Sequence, residues 1–276
     1  MKKLALALVI LCGGLLVSAT DKFPAWGDPN SPAATHVSPR YIEKTMEETS
    51  VPNIVTSVLA DYRGFDTMFE TGVVFTAGLA CFILLRIFGA ETRQIRVFRH
   101  KDTDMVIEIR EPVKKLPNPS LFQEIDPLWT PHDLIIKTMG RLLVPFIQLF
   151  GLYVIAHGHH SPGGGFQGGV ILGASIILFA LCEDLKSANE RVGEQFEAIC
   201  AAAGVFIYAG TGALCLALGS NFLDYAALSP LLRVDPVAAR SLGIFFVEVG
   251  VGLTVMATMI IIYANVASEG RYRQGL

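Results

Sequence analysis

Charge is what this sequence has least of. Of its 276 residues, 17% are Asp, Glu, Lys or Arg and 52% are hydrophobic, whereas an ordinary soluble domain carries about 25% charged residues. The charge is also confined, mainly to the stretches 20–48 and 89–133 and a short tail. That distribution excludes a soluble globular domain and implies a polytopic membrane protein. Basic residues never cluster with interleaved aromatics, so nothing suggests a nucleic-acid partner. The five cysteines, Cys12, Cys81, Cys182, Cys200 and Cys215, lie in or beside apolar runs. None forms a CxxC or a Cys/His pair at metal-ligand spacing, so they read as small buried hydrophobes, and neither a metal nor a cofactor is expected in this chain. A phosphate loop, dinucleotide fingerprint, nucleophile elbow and haem-attachment motif are all missing as well. Catalysis by this chain alone is therefore not expected.

What is present is a series of apolar runs. A membrane-spanning helix needs about 20 mostly apolar residues, with a lower limit of roughly 17. Leu4 to Ala19, after Lys2 and Lys3, is short, and Val17-Ser18-Ala19 resembles a signal-peptidase site. A retained helix is the favoured reading and a cleaved signal peptide the alternative. Residues 20–48, with Pro24, Pro29, Pro32 and Pro39, read as an exposed loop. A short helix is expected over Val51–Ala60, ending at Asp61-Tyr62-Arg63-Gly64-Phe65-Asp66, and a second span over Thr67–Phe88. Residues 89–133 form a polar linker in which 105–109 could make a short strand, although Pro112, Pro117, Pro119, Pro127 and Pro131 argue against an independent domain. Four closely spaced spans follow, at about 134–156, 169–181, 196–218 and 242–265, with Pro145 expected to bend the first of them. The expectation is an all-α protein of about six transmembrane helices. Residues 1–88 supply a two-helix module, 89–133 a cytoplasmic linker, and 134–276 a four-helix module.

Orientation follows from basic residues. With the N-terminus inside, the inner segments collect Lys2, Lys3, Arg86, Arg93, Arg96, Arg99, Lys101, Arg110, Lys114, Lys115, Lys186, Arg191, Arg271 and Arg273. The outer segments hold only Lys22, Arg40, Lys44, Arg63, Arg233 and Arg240. Both termini are then cytoplasmic if the first helix is retained, and the expected location is the inner, cytoplasmic membrane.

Between the third and fourth spans lies His157-Gly158-His159-His160-Ser161-Pro162-Gly163-Gly164-Gly165-Phe166-Gln167-Gly168-Gly169, with six glycines and three histidines in thirteen residues. Non-helical backbone at membrane depth survives only when buried in protein or lining a watery cavity. Ionisable groups inside a bilayer are costly and ask for a reason. Glu70, about one turn into the second span, could be a helix cap or an ion-binding carboxylate; Glu248, about two turns into the last, is too deep for a cap. His157 and His159 could relay protons at the outer end of the third span or merely bond the loop backbone. Lys137 and Arg141, four residues apart on one helix face, either snorkel to the inner surface or, for Lys137, exchange a proton within an interface. Asp61, Arg63, Gly64 and Asp66 read as a helix break held by a local ion pair. Pro162, Gly163, Gly164, Gly165, Phe166, Gln167, Gly168 and Gly169 read as a structural loop.

These residues carry a resemblance. His157 to Gly169, followed by a glycine-containing apolar helix and a glutamate-bearing last span, resembles the B-type component of Mrp-type (Mnh) multisubunit cation/proton antiporters, over roughly Pro131 to the C-terminus. Val58-Leu59-Ala60-Asp61-Tyr62-Arg63-Gly64-Phe65-Asp66-Thr67, with Glu70 after it, is similar to the C-terminal end of the large A-type component of those systems. In energy-converting membrane-bound hydrogenases a separate small membrane protein carries that piece. The resemblance implies a fusion of the two modules and other membrane subunits as partners, with a hydrogenase or another redox-driven complex as one setting. It further implies Na+ and/or H+ as the transported species, and Glu70, Glu248, His157, His159 and Lys137 as candidates for the ion or proton pathway. The alternative is a structural or assembly role in that complex with no ion path of its own.

Overall fold

The computed structural model describes residues 2–87, 95–103, 105–110, 117–118, 120–125, 134–268 and 270. Pro112, Pro119, Pro127 and Pro131 of the linker, and the basic residues Arg93, Lys114, Lys115, Arg271 and Arg273, lie outside them. The chain forms two compact units, Met1–Thr45 and Met46–Leu276. The first holds helix α1 (Lys2–Thr20), a π-helical turn (Ala33–Val37) and the start of α2 (Ser38–Thr49). Helix α2 lies where a loop was expected. Its proline, Pro39, falls in the first turn, where a missing N–H costs nothing.

Six helices among the described residues are long and apolar enough to cross a membrane: Lys3–Thr20, Gly64–Arg86, Leu134–His157, Gly165–Cys182, Glu194–Ala217 and Pro236–Ala267. The chain is thus a multi-pass all-α membrane protein. In the second unit, α3 (Ile54–Ser57) runs into a π-helical turn (Val58–Tyr62) and then α4 (Gly64–Phe82). The linker holds a three-stranded antiparallel sheet, β1 (Ile95–His100) between β2 (Val106–Arg110) and β3 (Phe122–Ile125). Val97 faces Glu108 on one side and Ile125 on the other. One of these strands was expected. Pro117 falls between β2 and β3, outside the ladders, where proline is tolerated.

The four-helix module comprises α5 (Leu134–His157), α6 (Gly165–Cys182), the short α7 (Leu185–Arg191), α8 (Glu194–Ala217), the short α9 (Ser229–Leu232) and α10 (Pro236–Ala267). Helix α10 starts six residues before the expected boundary, because Asp235 caps it by accepting from the Val237 and Ala238 amides at 3.2 and 3.0 Å, with Pro236 in the first turn. It is the central helix, packing on α4, α6 and α8. Lipid offers no hydrophobic drive between helices, so such contacts depend on close backbone approach at small residues. A Cβ on Gly204 of α8 would lie 2.3 Å from the Gly250 carbonyl of α10, and one on Gly169 of α6 would lie 2.6 Å from the Gly252 carbonyl. Helix α5 packs on α6 and leaves Leu142, Phe146, Leu149 and Phe150 exposed to lipid or to another membrane protein.

The tightest of these approaches is Gly165, where an added Cβ would sit 1.9 Å from the Glu248 carbonyl oxygen. Gly165→Ala is expected to destabilise the protein in detergent by about 1–3 kcal/mol through overpacking. Gly72→Ala, whose Cβ meets nothing within 4 Å, should instead be neutral or stabilise by up to about 1 kcal/mol. Thermal unfolding of the two variants measures the contrast.

Candidate functional site

The glycine-rich loop is short. Helix α5 runs to His157 and α6 begins at Gly165, inside the glycine tract, so only 158–164 are non-helical. Gly164 makes that reversal possible. Its φ of +128° is closed to L side chains, and a Cβ there would also stand 2.8 Å from Glu248 Oε1. The loop therefore lies directly on the Glu248 side chain.

A segment from the other module fixes it. Asn53, the N-cap of α3, donates through Nδ2 to the Gly158 and Ser161 carbonyls, both at 2.8 Å. The Asn53 amide donates to the His159 carbonyl at 2.9 Å, and the Thr56 hydroxyl to the Gly158 carbonyl at 2.9 Å. Buried backbone acceptors need such partners, and here residues 53–56 supply them. Neither Asn53 nor Thr56 stood out in the sequence. The only available signal was an Asn-x-x-Thr sequence opening a short helix.

Glu248 is 8% exposed, and its Oε2 has no hydrogen-bond partner. His159 Nε2 lies 3.9 Å away, and it too is buried without a partner. The ring of His159 packs edge-on against Phe245, with centroids 6.0 Å apart. Burial, reinforced by the neighbouring His160, holds the His159 imidazole below its ordinary value, so the neutral form is favoured. A carboxylate and an imidazole thus face each other beyond hydrogen-bond length, two polar atoms open to a shared proton or water.

On its other side Glu248 reaches a cavity of about 240 Å³. Glu70 and Thr71 of α4, Gln167 of α6, Tyr208 of α8 and Thr56 line it as well. Glu70 is exposed, at the rim; no Lys or Arg is among the lining residues. Glu70 cannot be a cap, because α4 begins at Gly64 and Glu70 stands beyond its first turn. Tyr208, 1% exposed, donates to the Gly64 carbonyl at 2.8 Å, and Tyr225, fully buried, to the Ala60 carbonyl at 2.8 Å. These two phenols anchor the turn from which α4 starts and so set the position of Glu70.

The remaining candidates separate. The helix break is not held by one local pair: Arg63 pairs with Asp66 at the surface, whereas Asp61 is taken by Arg240 of α10 at 2.8 Å, which also binds Asp224 at 2.9 Å. The long-range pair wins because Asp61 points inward. His157 stacks on Tyr153, with centroids 4.9 Å apart, and lies tilted against His160 at 5.7 Å; it is not among the residues lining the Glu248 cavity. Lys137 lies at the opposite end of α5, about 30 Å along the axis from His157. There it is 3.8 Å from Glu183, which also pairs with Arg141. Of the expected loop residues, only Pro162, Gly163 and Gly164 are non-helical; Gly165 to Gly169 instead open α6, whose glycines let it start against α10, and Phe166 and Gln167 join the cavity wall.

Two family models match different parts of the chain. Residues 135–261 match the family model described as a domain related to the MnhB subunit of Na+/H+ antiporter. Residues 5–102 match the MbhE family model, which describes a component of MBH. The B-type Na(+)/H(+) antiporter protein of Bacillus subtilis is 34% identical over 134 residues, which is 46% of this chain and 93% of that protein. The putative antiporter subunit mnhB2 of Staphylococcus aureus is 31% identical over 134 residues, 46% of this chain and 94% of its own length. A chain of the membrane-bound sulfane sulfur reductase, an archaeal respiratory membrane complex, shares the fold with a TM-score of 0.53 at 24% identity, over 94% of this chain and 97% of that one. A chain of the Mrp complex from Dietzia sp. DQ12-45-1b gives a TM-score of 0.53 at 25% identity, over 95% of this chain and 26% of that one. The protein is a multi-pass component of a cation/proton antiporter-type complex. It belongs to the MnhB family.

The lowered His159 value has a consequence for stability. A group that binds protons less readily when folded favours unfolding as the pH falls below its unfolded value, about 6.5 for histidine. Wild-type stability is therefore expected to drop as pH is lowered from about 6.5 towards the folded value, and His159→Gln should drop less over that window. Denaturation midpoints of both proteins across roughly pH 7.5 to 5 check this.

Proposed function

We propose that this chain is a membrane component of an Mrp-type or related redox-linked complex, and that it carries part of the route by which Na+ and H+ are exchanged. The single observation behind this reading is that Glu70 and Glu248, from two modules with different relatives, line one cavity of about 240 Å³. Two carboxylates, hydroxyls and an amide offer oxygen ligands suited to a hard monovalent cation, with no basic side chain to compete. A neutral His159 can relay a proton towards Glu248 from the loop side, gaining one on one ring nitrogen as it gives one up from the other, while Glu70 faces the cavity's rim. The carboxylate can then alternate between a proton and a cation, which is the elementary act of antiport.

In this reading the protein lies in the cytoplasmic membrane, with Arg86 and Glu194 at the inner face and the glycine-histidine loop at the outer one, as the basic residues dictate. The exchange proposed needs no cofactor in this chain. The driving force comes from the ion gradient or from a redox partner in the complex.

The test uses the complex purified through a tag on this chain. Glu248→Gln keeps the shape and removes the charge. It is expected to lower Na+/H+ exchange in proteoliposomes roughly 100-fold, the range of a lost proton-transfer group, with unchanged co-purifying proteins. Normal exchange by the assembled variant contradicts the pathway, and loss of assembly instead marks Glu248 as scaffolding.

A further inference from the structure

Thr56 faces more acceptors than it has protons to give. It is 3% exposed, on the short helix α3. Its hydroxyl accepts from Asn53 Nδ2 at 3.0 Å and donates to the Gly158 carbonyl at 2.9 Å. Thr56 also borders the cavity it shares with Glu248, and the Glu248 carboxyl lies beside that hydroxyl. A threonine hydroxyl carries one proton. With that proton on Gly158, Glu248 Oε2 is left buried and without a hydrogen-bond partner.

The Gly158 carbonyl does not depend on Thr56 alone. It also accepts from Asn53 Nδ2, at 2.8 Å. One of its two donors can therefore leave without orphaning a buried backbone acceptor. The move is small, because the two acceptors are neighbours: a Cβ on Gly158 would stand 3.3 Å from Glu248 Oε2. Turning the O–H bond of Thr56 redirects the proton and keeps the contact from Asn53.

Charge decides which acceptor wins. A hydrogen bond to an ionised group is roughly twice as strong as one between neutral groups. An ionised Glu248 thus outcompetes the Gly158 carbonyl for the Thr56 proton, and a protonated or cation-bound Glu248 does not. The other groups facing this carboxyl cannot respond in the same way. His159 of the loop is 3.9 Å off, beyond hydrogen-bond length, and Glu70 of α4 is an acid at the cavity's rim. Tyr208 of α8 gives its proton to the Gly64 carbonyl, and the Gly165 amide is fixed in the first turn of α6.

We propose that Thr56 is a positioning residue for exchange at Glu248, acting as a hydroxyl switch: its proton rests on Gly158 while the carboxyl holds a proton or a cation, and turns to the carboxylate when it holds neither. The proposal rests on the antiporter reading of Glu248 and adds how the emptied carboxylate is stabilised between its two partners. It also ties a donor from the segment that matches MbhE to a carboxylate from the segment that matches MnhB.

The test records initial Na+/H+ exchange against pH for wild type, Thr56→Val, Thr56→Ser and Glu248→Gln, in the complex purified through the tag on this chain and reconstituted in proteoliposomes. Valine keeps the shape and removes the hydroxyl. Losing a donor to the charged form favours the protonated one. Thr56→Val is therefore expected to move the pH profile upward by about one unit, a tenfold change in proton concentration, with Thr56→Ser following wild type. A profile that stays in place or moves to lower pH overturns the switch, and so does a shift that serine shares in full. If Glu248→Gln still lowers exchange in that case, the antiporter reading stands. If Glu248→Gln exchanges normally, that reading fails and the switch fails with it. Should Thr56→Val not assemble, Thr56→Cys takes its place, since a thiol is only a weak donor. An upward shift then supports the switch and an unmoved profile overturns it. Assembly by the serine variant alone marks the hydroxyl as a fastener of the loop and overturns the switch as well.

Discussion

Everything at the loop end of this protein depends on how closely α6 can approach α10. At Gly165 and Gly169 the α6 backbone lies against the carbonyls of Glu248 and Gly252, with no room for a methyl group. That approach draws the glycine tract onto a carboxylate three turns inside the last helix and leaves its Oε2 facing His159. A side chain at either glycine separates the helices, and the histidine, the carboxylate and the cavity then lose their common frame. The same logic recurs on α8, where Gly204 meets Gly250, so α10 is held on two sides by backbone contact rather than by interdigitated side chains.

Within that frame the energetic problem is the burial of charge in a low-dielectric interior. The protein resolves it differently at each place. Asp61 is neutralised by Arg240, and Glu183 by Arg141 and Lys137. These pairs are closed and hold the ends of helices together. Glu248 has no such cation; it has a histidine just out of hydrogen-bond reach and a cavity on its other side. The contrast separates carboxylates that fasten the structure from one that is left able to exchange its partner.

Much of this could be read from the sequence, and the parts that could not share a cause. Apolar length alone located the six spans, and the positions of Glu70, Glu248 and the glycine-histidine loop were evident because charge and glycine stand out against apolar runs. Helix starts were misplaced where a polar cap, such as Asp235 before Pro236, extended the helix beyond its hydrophobic stretch. Contacts between distant segments were invisible: Asn53 on the Gly158 and Ser161 carbonyls, Tyr208 under Gly64, and Arg240 claiming Asp61. Each is a common residue whose role exists only once the two modules are folded together. Lys137, by contrast, stood out in the sequence and proved remote from the cavity.

The central claim is that Glu70 and Glu248 serve one shared site. A double-mutant cycle on Na+/H+ exchange by the assembled complex, using Glu70→Gln, Glu248→Gln and the pair together, tests it most directly. If the carboxylates act on one ion in one cavity, the double variant is no worse than the more impaired single variant. Losses that multiply independently, with assembly intact, contradict the account and place the two glutamates on separate routes.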